Sequence, residues 1–92
     1  MEIRVAHSLE RALAAERVRA AAARHDVRPE DPSRETDYGG ALQKDTPLGS
    51  VRATWIATAS EVVVCIEGVP AFVPEATVRR LLEDGLRQVL AS

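Results

Sequence analysis

The run Glu61-Val62-Val63-Val64-Cys65-Ile66-Glu67 constrains this chain more than any other stretch, because it is apolar at five consecutive positions between two carboxylates. Consecutive β-branched residues favour a strand. A strand with one face in water alternates apolar and polar residues, so an unbroken apolar run leaves a second face to be explained. The segment before it, residues 50–58, does alternate. Val51, Ala53, Trp55 and Ala57 share one side, and Arg52, Thr54, Ile56 and Thr58 the other.

Residues 50–58 and 61–68 therefore make a predicted hairpin with Ala59-Ser60 at its tip. Thr58 then faces Glu61, Ala57 faces Val62, Trp55 faces Val64 and Ala53 faces Ile66. A four-residue loop keeps the same partners. A three-residue loop would set Glu61 and Glu67 beside Trp55 and Val51, burying charge without compensation, and that penalty selects the register. The core face collects Val51, Ala53, Trp55, Ala57, Val62, Val64 and Ile66. On the opposite face Arg52 is expected across from Glu67 as an ion pair. Between the charged ends lies an apolar island of Ile56, Val63 and Cys65. Three fates are open to it: exposure to water, self-association, or cover by the loop at 26–37. Ile56, Val63, Cys65, Arg52 and Glu67 are the candidate interaction residues.

The remaining elements read as follows. Residues 2–7 alternate, with Ile3 and Val5 on one side, and form a short first strand. Ser8 stands where a helix N-cap is expected. Residues 9–25 are rich in alanine and favour helix; Leu9, Leu13 and Ala20 share a side, but Glu16 interrupts it. Residues 26–37 are charged, contain two prolines and show no period, which predicts a solvated, mobile loop. Residues 38–44 form a strand. Thr46-Pro47-Leu48-Gly49 suits a turn, with proline second and glycine fourth. Pro74 fits the first turn of a last helix. Val78, Leu81, Leu82, Leu86, Val89 and Leu90 make its apolar stripe, and Glu75–Arg79 and Glu83–Arg87 are favourable pairs on its exterior. The expected fold is one α+β domain over 1–92, β-α-β-β-β-α, with a mainly antiparallel four-stranded sheet and two helices on one face.

Chemistry-bearing residues do not converge. His7 and His25 fall in different elements without further ligands at metal spacing, so no metal site is expected. His7, at a strand–helix junction, reads as a structural hydrogen-bonding residue. Cys65 shares its strand face with Glu61 and Glu67, which argues against a thiolate nucleophile and for a buried or half-buried inert thiol. The serines lack a strand-turn-helix setting, and Gly39-Gly40 is far short of a phosphate-binding loop. No catalytic or cofactor-binding set is expected; the protein reads as a non-enzyme, and no small-molecule ligand can be named. A single cysteine excludes an intrachain disulfide, and no apolar run reaches the roughly 20 residues of a membrane span. Cytoplasmic residence is the default reading.

A net charge of −2 argues against a general polyanion binder. The order helix, three strands, helix is nonetheless that of double-stranded-RNA-binding domains, and Arg11, Arg17, Arg19 and Arg24 lie on the first helix. They are spread around its circumference among Glu10 and Glu16, so RNA or ribosome association is the disfavoured alternative. The segment Ile3-Arg4-Val5-Ala6-His7-Ser8-Leu9 followed by an alanine-rich helix resembles the small polyhydroxyalkanoic-acid-system proteins. Gly49-Ser50-Val51 leading a strand, and Val78, Leu82, Leu86 and Leu90 on a terminal helix, are similar to the same family. The resemblance implies a small bacterial cytoplasmic protein linked to storage-polyester metabolism, and it brings no catalytic residues. The expected function is thus that of an accessory protein acting through the open sheet face, on a protein partner or as a homodimer.

Overall fold

The computed structural model describes residues 1–30, 33, 35–47, 49–68 and 73–91. The chain runs β1 (Glu2–Ala6), α1 (Arg11–Arg24), β2 (Arg28–Pro29), β3 (Gly39–Thr46), β4 (Gly49–Ala57), β5 (Glu61–Gly68) and α2 (Glu75–Leu90). Its strands form one antiparallel sheet in the order β1-β5-β4-β3-β2. The α+β class and the antiparallel sheet are as expected, but the sheet has five strands instead of four. The added strand, β2, lies within the stretch read as a 26–37 loop. An arginine and a proline carry no alternation; they become a strand because Arg28 pairs with Gln43, Pro29 with Leu42, and the Glu30 N–H donates to Ala41 O at 2.9 Å. Residues 31, 32 and 34 of that stretch, and Leu48 of the predicted turn, lie outside the described residues.

The β4–β5 hairpin has the predicted partners: Ala57 opposite Val62, Trp55 opposite Val64 and Ala53 opposite Ile66. Its tip closes with Thr58 N–H donating to Glu61 O at 2.8 Å. The parity sends Trp55, Ala57, Val62, Val64 and Ile66 to the core, joined there by Ile3 and Val5 of β1. Against this face α1 buries Ala14, Ala15 and Val18, and α2 buries Leu86 and Leu90. Each large apolar side chain so enclosed stabilises the fold by about 1.5–3 kcal/mol. Both helices thus cover one face of the sheet.

Four details of the helices differ from expectation. The buried face of α1 is Ala14, Ala15, Val18 and Ala22, whereas Leu13 and Ala20 are exposed. A helix made mostly of alanine has little contrast between its faces, so tertiary contact decides which one faces in. On α2, Leu81 is 70% exposed, because the inward line through Val78, Leu82, Leu86 and Leu90 leaves it to one side. Pro74 occupies the N-cap of α2, one position before the first turn.

The fourth detail concerns Ser8, which is exposed and does not cap α1; Glu10 holds that position without a side-chain bond. The imidazole of His7 organises the junction instead. Its Nδ1 accepts the Leu9 N–H at 3.1 Å, and its Nε2 lies 2.9 Å from Thr58 O, which suits the neutral ring with its proton on Nε2. The His7 N–H donates to Ser60 O at 2.9 Å. One residue therefore fastens the end of β1, the approach to α1 and the β4–β5 turn. At the other end of α1, Asp26 takes a left-handed conformation (φ 58°), and the Val27 N–H returns to Ala22 O at 2.8 Å in a Schellman arrangement.

Two glycines are required by geometry. A Cβ at Gly39 would collide with the Trp55 carbonyl oxygen across the β3–β4 ladder, and Gly49 opens β4 at φ 130°.

Replacing the ring that spans this junction tests its role. His7→Ala should lower the unfolding free energy by about 1–3 kcal/mol, because it orphans Leu9 N–H and Thr58 O. Ser8→Ala should change it by no more than about 0.5 kcal/mol. Chemical denaturation of the two variants measures both.

Candidate interaction face

The uncovered face of the sheet is built by alternation from every strand. Pairing of β1 with β5 sets Glu2 opposite Cys65, Arg4 opposite Val63 and Ala6 opposite Glu61. Arg4 donates to Glu61 at 2.6 Å and to Glu2 at 2.8 Å. These carboxylates, the hydrogen bond from Arg4 to Glu61 above all, hold its guanidinium pKa above the ordinary arginine value. Lying in that bridge, Arg4 flanks Val63 on one side while Ile56 flanks it on the other, and Val63 is only 9% exposed. The island foreseen as Ile56, Val63 and Cys65 is therefore smaller than expected. Ile56 is 45% exposed and Cys65 is exposed, not buried or half-buried; Val63 is closed over by its neighbours. The sequence pattern missed this because nothing in it states which strand lies beside β5.

The other end of the face differs from expectation through a bulge. Ala53 faces Ile66, but Arg52 faces Gly68, so Glu67 is the additional residue of β5 and does not stand across from Arg52. Arg52 instead approaches Glu30 at 3.3 Å, reaching the residue that follows β2. Next to it Asp45 accepts from Ser50 at 2.8 Å, Gln43 at 3.0 Å and Arg28 at 2.7 Å. The hydrogen bond from Ser50, then that from Gln43, holds the Asp45 carboxyl below the ordinary aspartate value, with Arg28 adding to them. The described residues of the 26–37 stretch thus contribute Arg28 and Glu30 to the rim, and Ile56 remains 45% exposed.

Beside Ile56 the bare Cα of Gly39 leaves an open hollow of ≈ 210 Å³, lined by Thr36, Gly39, Gly40, Thr54, Trp55 and Ile56. A second hollow of ≈ 360 Å³ lies where β1 ends against α2, between Ala6, His7, Ser8, Arg87, Leu90 and Ala91. Both ring nitrogens of His7 there have partners within the fold. Among the described residues no three His, Cys, Asp or Glu side chains are grouped to hold a metal ion. None of the described helices is long and apolar enough to cross a membrane.

Three of the four arginines of α1 that could have met a polyanion bond carbonyls of their own fold. Arg11 donates to Ala57 O at 2.8 Å and lies 4.0 Å from the centre of the Tyr38 ring. Arg17 reaches Val89 O at 3.4 Å, and Arg19 bonds Thr36 O and Asp37 O while standing 5.3 Å over Trp55. Comparison with protein-family models, with characterised proteins and with solved structures gave no match to this chain.

The Asp45 cluster makes a pH prediction. Because its folded pKa is depressed, the cluster stabilises the protein above the unfolded aspartate value of about 3.9. That contribution is lost as pH falls through the lower folded midpoint. A carboxyl-detected NMR titration should place Asp45 below about 3.9 in the native chain, and Ser50→Ala should move it upward.

Proposed function

We propose that this protein is a non-enzymatic accessory protein that works by docking a macromolecular partner on the open face of its sheet. The supporting observation is the placement of both helices on one face, which leaves Ile56, 45% exposed, beside Cys65 at the centre of the other. An exposed β-branched residue alone means little. Here it adjoins a hollow and is framed at both ends by hydrogen-bonded charge clusters, the apolar-centre and polar-rim arrangement of docking surfaces. Among the described residues no constellation of nucleophile, base and orienting group accompanies it, and the reading assigns the protein no reaction. The resemblance around His7-Ser8-Leu9 supports storage-polyester metabolism in a bacterial cytoplasm as the setting in which the partner is sought.

RNA or ribosome association is the weaker reading. Three of the four arginines on α1 that would serve it are occupied by carbonyls of the same chain. The open face, among the described residues, offers no aromatic ring on which a base could stack. Absorbance at 260 and 280 nm of the protein as purified separates the two readings.

A photo-crosslinking residue in place of Ile56, introduced in the native cell, tests the docking face directly. A reproducible adduct from position 56, absent when the same group replaces Arg80 on α2, is the expected result. Equal labelling from both positions, or none from position 56, would defeat the reading.

A further inference from the structure

The two edges of the sheet are unlike. β2 closes one edge with two residues, one of them a proline, which has no N–H to offer. β1 forms the other edge with five residues in unbroken register, without proline or bulge. Ile3 and Val5 turn their backbone groups toward Val64 and Val62 of β5. Alternation therefore turns the N–H and C=O groups of Glu2, Arg4 and Ala6 away from the sheet. Among the described residues none of these groups has a hydrogen-bond partner, and all three residues are exposed. An edge of this kind is a template for a further strand.

We propose that the β1 edge is a second interaction site, which takes an extended segment of a protein partner as a sixth, antiparallel strand. It is separate from the open face and does not depend on the docking reading above. Sterics set the class of occupant. α2 packs over β1, while α1 packs over β4. Two copies joined edge to edge would hold their α2 helices about one strand spacing apart, roughly 4.8 Å. Packed helices need about 8–10 Å. A full second copy is thus excluded, whereas a single extended segment brings no helix with it. Charge sets its sequence. Glu2 and Arg4 project from the same side of β1 and meet the residues opposite them on the added strand. An acidic residue opposite Arg4 and a basic one opposite Glu2 are both attracted; the reverse order is repelled at both positions. In an antiparallel strand the acidic residue therefore precedes the basic one by two. The residue between them stands opposite Ile3, on the side of the helical layer, where an apolar side chain fits.

The test uses the full chain labelled with ¹⁵N and three short peptides blocked at both ends. The first is Thr-Val-Glu-Val-Lys-Val, the second exchanges its glutamate and lysine, and the third is the first with N-methyl groups on the glutamate and lysine amides that would face β1. The first peptide should shift the amides of Glu2, Arg4 and Ala6 and slow their exchange with solvent. It should also give an Hα–Hα nuclear Overhauser effect between Ile3 and the valine opposite it. The exchanged peptide should bind at least about threefold more weakly, and the N-methylated one should leave the three amides unmoved. Light scattering of the chain alone should give the mass of one copy. A doubled mass with the same amides protected would make a second copy the occupant and overturn the proposal. So would unmoved amides with the first peptide, equal affinity of the exchanged peptide, or an undiminished effect of the N-methylated one. A crosslink from position 56 reports on the open face alone, so either site can fail without the other.

Discussion

Trp55 opposite Val64 sets the parity of the whole sheet. Side chains on a strand alternate, so choosing this pair sends Ala57, Val62 and Ile66 to the helices and Ile56, Val63 and Cys65 away from them. A slip of one residue would bring Glu61 and Glu67 under the helical layer, where an unpaired carboxylate costs far more than any gain from burying Ile56. The extended apolar run of β5 is tolerated because its two faces have different neighbours. Its even positions, Val62, Val64 and Ile66, meet α1, α2 and β1. Of its odd positions, Val63 is closed over by Arg4 of β1 and Ile56 of β4, while Cys65 stays exposed.

That shielding depends on where β1 lies, and two side chains hold it there. His7 ties the end of β1 to Thr58 and to the start of the α1 segment, and Arg4 clasps Glu61 across the first ladder. The same clasp that encloses Val63 sets two carboxylates, Glu2 and Glu61, around one guanidinium at the β1 end of the face. Docking of β1 and the electrostatic character of the open face are therefore consequences of one arrangement. At the far edge the two residues of β2, one of them proline, leave little backbone for another strand to pair with.

The sequence carried the central hairpin clearly, because alternation at Val51, Ala53, Trp55 and Ala57 is unambiguous and the charged ends of β5 penalise every other register. It carried α2 nearly as well through Val78, Leu82, Leu86 and Leu90, and missed only that Leu81 stands beside this line. β2 was not legible: Arg28 and Pro29 have no strand propensity, and only the ladder to Gln43 and Leu42 makes them one. Nor was the buried face of α1, where one alanine looks like the next. The Glu67 bulge and the Arg52–Glu30 contact depend on strand neighbours far apart in sequence. Of the open face, Ile56 and Cys65 were found from alternation alone. The enclosure of Val63 and the charge clusters at the two ends of the face needed the placement of β1 and β2.

The parity can be read directly in solution. Val62, Val64 and Ile66 face Val5, Ile3 and Met1 as hydrogen-bonded partners, shown at one end by Ile66 N–H donating to Met1 O at 2.8 Å. On its other side, therefore, Val64 meets Trp55 in a non-hydrogen-bonded pair, whose Cα atoms approach to about 4.5 Å. A strong nuclear Overhauser effect between the Hα protons of Trp55 and Val64, repeated between Ala57 and Val62, is the predicted result. The same effect linking Val64 to Thr54 or Ile56 would place the register one residue away, turn the apolar island inward and contradict the account.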